Sequence, residues 1–152
     1  MLEERLREKK AAIGERWLAS LLATYGEDTA SFLRKGRNRF ANPVGQMYAE
    51  STRAVLDEFL GGMDPAILCT HLEEIIKIRA IQEFTPAQAV SFVFMLKDAI
   101  REEIGGDESG LRGIEDRIDQ LALFAFDIYV KRREQVYGLR LSEIRKGFVK
   151  PA

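Results

Sequence analysis

Three of the four prolines directly follow a residue suited to capping a helix: Asn42-Pro43, Asp64-Pro65 and Thr85-Pro86. Proline at the first helical position loses no hydrogen bond, because its missing N–H would have no partner there, and its fixed φ is already helical. The preceding side chain accepts a bond from an orphan amide of the first turn. Gln88, three residues after Thr85, completes a capping box. The glycine pairs Gly61-Gly62 and Gly105-Gly106 mark two stops. These signals divide the chain into helices and leave no need for strands.

The apolar spacing agrees with that division. A first helix over residues 2–24 gathers Leu2, Leu6, Ile13, Trp17 and Leu21 on one face, widened by Leu18 and Leu22. A short helix over 29–35 presents Phe32 and Leu33. A third over 43–60 carries Val44, Met47, Tyr48, Val55, Leu56 and Phe59, and a fourth over 65–81 carries Leu68, Leu72, Ile75 and Ile76. The fifth, over 86–104, is apolar on several sides and is expected to be central, with the Lys97 stem packed and its ammonium reaching water. The fold class predicted is all-α: a single-domain bundle of five to six helices with a long C-terminal helix.

That last helix spans 111–146 with no clear stop, although Gly113 and Gly138 weaken it locally. About 36 residues would reach ~54 Å, longer than a compact domain of this size. Ile114, Ile118, Leu121, Ala125 and Ile128 repeat at three and four residues like a coiled-coil seam, and Tyr137 and Leu141 continue a narrower stripe. Such a helix either bends at Gly138 and packs back or projects to a partner. The reading adopted is a homodimer. The domain is placed at 1–146, with 147–152 as a tail.

Composition excludes most chemistry. The 152 residues hold 23 Lys+Arg, 24 Asp+Glu, one His and one Cys. A single Cys forbids an internal disulfide, and a single His forbids any site needing two imidazoles. His71 could ligate a haem or shuttle a proton, but the reading adopted is a histidine at the edge of an apolar stripe. Cys69 reads as a packed thiol. The paired carboxylates read as solvated faces, and Asp127, set in the most apolar run, is expected to pair with Lys131 one turn on. No phosphate loop, nucleophile elbow or zinc motif is present. The chain reads as a non-enzyme without cofactor or metal. Arg34-Lys35-Gly36-Arg37-Asn38-Arg39 and the segment 131–150, net +5, are basic, but with the whole chain at −1 nucleic acid is not the partner adopted. No signal peptide or membrane-length apolar run is seen, and a cytoplasmic protein with no membrane insertion is expected.

Five stretches together resemble a known family: Lys9-Lys-Ala-Ala-Ile-Gly-Glu-Arg-Trp17, Phe40-Ala-Asn-Pro-Val-Gly45, Gly61-Gly-Met-Asp64, Ile78-Arg-Ala-Ile-Gln-Glu-Phe-Thr-Pro-Ala-Gln-Ala-Val90 and Arg117-Ile-Asp-Gln-Leu-Ala-Leu-Phe-Ala-Phe-Asp-Ile-Tyr129. In this order they are similar to the RsbRD-type N-terminal domain of RsbT co-antagonist proteins. The resemblance implies a sensory module, dimeric and globin-like without haem, joined by a helix to a STAS domain in the stressosome. With the chain ending at Ala152 before any STAS domain, the expectation is a sensor or adaptor acting through another, unidentified downstream protein. The signal is expected near Arg79, Gln82 and Phe84, at the junction of two helices, with His71 as a further candidate. A haem or small-ligand sensor using His71 is the alternative.

Overall fold

A computed structural model of the chain describes residues 2–36, 40–106 and 109–149, with only the backbone of Phe148 and Val149. Its described residues form eight helices and no strand: α1 (Leu2–Glu8), α2 (Lys10–Leu22), α3 (Glu27–Lys35), α4 (Pro43–Leu60), α5 (Pro65–Arg79), α6 (Pro86–Val90), α7 (Phe92–Ile104) and α8 (Leu111–Val149). All three proline-marked starts lie where the caps place them. Asn42 accepts from the Gly45 amide at 3.1 Å and Asp64 from the Ala66 amide at 2.9 Å. Thr85 and Gln88 form the reciprocal box, at 3.1 and 2.9 Å.

The helix count exceeds five to six because two expected helices are each divided. The first breaks at Lys9 with little change of course, since the Lys9 amide still reaches Arg5 O and Lys9 O still accepts from Ile13. The fifth breaks at Ser91, for a reason that belongs to the site below. The stretch around Phe94 also departs from expectation. Phe94 faces outward, covered in part by the Lys97 ammonium 5.3 Å above its ring, while Phe92, Val93, Leu96 and Ile100 fill the core. The Lys97 ammonium reaches the surface and pairs with Asp119 at 2.7 Å.

One core unites the helices. Trp17, Tyr48, Phe59, Phe92 and Tyr129 are its large ring side chains, joined by Leu6, Ile13, Leu68, Leu72, Ile75, Ile118 and Leu121. Ion pairs staple its outside: Arg16 to Glu102 and Glu103, Lys10 to Asp57 at 2.9 Å, and Arg101 to Glu115 through two bonds at 2.6 and 2.8 Å. These exposed pairs contribute little singly, because water screens them.

The α3–α4 corner is held by a buried amide. Asn42 is almost fully enclosed, and its Nδ2 donates to Leu33 O at 3.0 Å and Gly36 O at 2.6 Å. One side chain thus closes α3 and opens α4. Gly45 is required beside it, because a Cβ there would lie 2.4 Å from Leu33 O. Asn42→Ala should lower stability by about 2–3 kcal/mol, since it removes a cap and leaves buried carbonyls unpaired. Urea unfolding followed by circular dichroism checks this, and a loss below 0.5 kcal/mol would contradict it.

Candidate functional site

Arg79 ends α5 with its side chain directed inward, at 0% exposure. Its Nε donates to Ala89 O at 2.8 Å, its Nη2 to Gln88 O at 2.9 Å and its Nη1 to Thr24 Oγ1 at 3.3 Å. Ring faces enclose the guanidinium carbon: Phe84 with its centroid 4.3 Å away, Phe92 at 5.6 Å and Tyr25 at 5.9 Å. Arg79 forms no ion pair with any of the described residues. Its charge is balanced by carbonyl dipoles, the Thr24 hydroxyl and aromatic faces.

The same bonds explain the break at Ser91. In an uninterrupted helix, Gln88 O and Ala89 O would accept from the amides of residues 92 and 93. Here the guanidinium fork takes both carbonyls, and Ser91 Oγ also donates to Gln88 O at 2.9 Å. The chain restarts as α7 with a tight turn, Phe94 N to Ser91 O at 3.0 Å. Trp17 Nε1 donates to Phe92 O at 2.7 Å and anchors that restart to α2.

A second polar chain runs beside the cation. The Tyr25 and Tyr48 hydroxyls are hydrogen-bonded, and Tyr25 donates to Gln82 Oε1 at 2.8 Å. Burial pushes the Tyr48 phenol well above the ordinary tyrosine range, the Tyr25 bond adds to this, and the nearby Arg79 charge opposes it. The structure therefore brings Arg79, Gln82 and Phe84 into one cluster. Thr24, Tyr25 and Tyr48 complete it, and nothing in their own sequence neighbourhood marked them. His71 lies two turns earlier on α5, half-buried, apart from the cluster. Burial and the Glu73 and Asp127 charges push the neighbouring Cys69 thiol up, which disfavours a reactive thiolate.

Adjacent residues join this cluster to α8. Arg133 Nη1 donates to Ala80 O at 2.6 Å, one residue past Arg79, while Arg132 pairs with Glu73 of α5. Arg133 Nη2 donates to the Tyr137 hydroxyl at 2.8 Å, its guanidinium stacked 4.6 Å from that ring, and this bond holds the phenol below its usual range.

The described part of α8 is one helix of 39 residues, continuous through Gly138. Ile114, Ile118, Leu121 and Ala125 are buried in the protein's own core and Ile128 is half-buried, so this spacing faces inward rather than toward a partner. Tyr137 and Leu141 are exposed, and with them on the outer face stand Leu123, Phe126, Val130 and Ile144. The seven-residue spacing of 123, 130, 137 and 144 was readable in the sequence. Asp127 stands exposed beside this face and makes no pair with Lys131, because water already solvates it.

Two adjoining hollows of about 310 and 320 Å³ lie between α2 and α4 and share Glu15, Leu18 and Ala49 in their walls. Neither is lined by His71. No three His, Cys, Asp or Glu side chains converge to hold a metal among the described residues. Of the basic clusters, Arg37, Asn38, Arg39 and Lys150 lie outside the described residues, as does the end of the expected tail, 150–152. No described helix is long and apolar enough to cross a membrane.

The family described as RsbT co-antagonist protein rsbRD N-terminal domain matches residues 11–144. No curated protein and no solved structure matches the chain.

Two outcomes test the cluster. Arg79→Met should cost about 3 kcal/mol or more, because it strands the Gln88 and Ala89 carbonyls, and Arg79→Lys should recover only part, lacking the fork. Denaturant unfolding of the pair checks this. Second, a phenol whose folded pKa is raised stays protonated in the fold while the unfolded chain ionises near pH 10. Stability should therefore fall as pH rises above about 10, and Tyr48→Phe should flatten that fall relative to the parent in unfolding curves taken from pH 8 to 11.5.

Proposed function

The chain belongs to the family of RsbRD-type N-terminal domains of RsbT co-antagonist proteins, and we propose that it is a regulatory sensor module of stress signalling that acts as a dimer through protein–protein contacts rather than by catalysis. The observation that carries this reading is α8. Its inner face completes the core, while its outer face keeps Leu123, Phe126, Val130, Tyr137, Leu141 and Ile144 exposed among the described residues. Exposed apolar rows of this kind mark interaction surfaces.

The Arg79 cluster supports a sensing role. It joins the end of α2, the middle of α4, the α5–α6 turn and, through Ala80, α8. A signal acting near Gln82 or Phe84 would have a direct polar route to the output helix. Domain limits of 1–146, a cytoplasmic setting and a downstream signalling partner belong to the same reading. The haem alternative gains no support from the placement of His71.

Sedimentation velocity between about 1 and 100 µM tests the dimeric part. A species near twice the chain mass is expected, and a monomer independent of concentration would overturn it. Supplying haem during expression should give no Soret band.

A further inference from the structure

We propose that the trough between α2 and α4 binds a linear long-chain carboxylate, its chain laid along the floor and its carboxylate on Arg34. The two helices run antiparallel: Lys10 at the start of α2 pairs with Asp57 near the end of α4, and Leu22 at the end of α2 shares a hollow with Gly45 near the start of α4. The hollows of about 310 and 320 Å³ adjoin between them, with Leu18 and Ala49 in both walls. Each alone reaches the size of a small-molecule site, roughly 300 Å³ or more. Along α2 the walls extend from Lys10 to Leu22, a rise of ~18 Å. A hydrocarbon chain advances about 1.25 Å per carbon, from ~1.52 Å bonds at tetrahedral angles, so about fourteen carbons match that length. The Lys10–Asp57 pair stands at one end of the trough, and Leu33 and Arg34 of α3 at the other.

The walls select the class of ligand. Their polar side chains are largely spent within the protein: Lys10 on Asp57 at 2.9 Å, Thr52 on Tyr48 O at 2.8 Å and Gln46 on Gly36 O at 3.1 Å. A sugar or a nucleotide, which needs several unspent donors and acceptors, finds few partners here, whereas methylenes lie well against Leu18, Leu22 and Leu56. Three charged side chains of the walls remain, and among the described residues Glu15, Arg34 and Arg53 make no ion pair or side-chain hydrogen bond. Two arginines against one carboxylate leave these at net +1, which fits a single anionic group. Arg34 stands at the α3 end, where a chain lying along the floor places its head, and its planar fork suits a carboxylate. No residue of the Arg79 cluster lines either hollow, so failure of this site would leave the sensor reading untouched.

Isothermal titration calorimetry on the full chain tests the site, with tetradecanoate kept below micelle formation. One tetradecanoate per chain is expected to bind with micromolar dissociation. Octanoate, with six fewer methylenes, and tetradecyltrimethylammonium, with the opposite charge, should each bind at least about tenfold more weakly. Ala49→Phe, which fills the wall common to both hollows, should weaken binding at least about tenfold with the circular dichroism spectrum unchanged. Arg34→Gln, at an exposed position, should weaken it about fivefold or more. No binding of tetradecanoate, or binding that survives Ala49→Phe, would overturn the site. An unchanged affinity in Arg34→Gln, or equal binding of the cationic amphiphile, would overturn the place given to the carboxylate. Should Ala49→Phe fail to fold, Arg34→Gln and the two comparison ligands still decide the matter.

Discussion

Arg79 carries a charge that water does not reach and that no carboxylate among the described residues neutralises. Arginine stays protonated in proteins, so the cost of its burial has to be met by groups that offer partial charge. Two carbonyls in the last turn of α6, the Thr24 hydroxyl and three ring faces meet it. Those groups come from two stretches of chain, Thr24–Tyr25 after α2 and Phe84–Phe92 around α6, so both must be in place for the charge to be tolerated. The interaction thus fixes the end of α2, the stop of α6 and the direction in which α7 sets out. Lysine could not replace it, because a point charge cannot occupy two carbonyls in one plane while lying against Phe84.

What could be read from the sequence follows the range of the forces involved. Caps at Asn42, Asp64 and Thr85 are satisfied by amides two or three residues on, and all three stand where the sequence placed them. The inward faces of the helices were legible for a similar reason, since a stripe at helical spacing must be buried somewhere. The break at Ser91 was not legible. It arises because a guanidinium at the end of another helix claims two carbonyls that helical periodicity assigns to the backbone. Arg79, Gln82 and Phe84 could be marked as polar and aromatic groups at a helix junction. Tyr25 and Tyr48 join them only through the tertiary fold, and no local pattern identifies a tyrosine that will be buried with a hydroxyl partner.

The long helix shows a different limit. Its apolar residues form two rows, one at 114, 118, 121 and 125, the other at 123, 130, 137 and 144. The first row repeats at three and four residues and the second at seven, and neither period says which row meets the protein's own core. The first row is buried because α5 and α7 lie against it; the second is left to solvent. The stripe read from sequence at Ile114 and Ile118 is therefore one that the chain buries in its own core. Asp127 follows the same logic. It interrupts the apolar run because it stands at the border of the outer row, where a carboxylate is hydrated.

Arg133 belongs to both systems. Through one nitrogen it completes the carbonyl left open after α5, beside Arg79, and through another it fixes Tyr137, a member of the outer row. If copies pair along that row, the position of Tyr137 is a term in their affinity, and the position of Ala80 O is a term in where Tyr137 can lie. Any condition that shifts the α5–α6 turn then shifts the pairing equilibrium, and pairing must bias the turn by the same free energy. One arginine side chain thus links the buried junction at the end of α5 to the outer row of α8 through two hydrogen bonds.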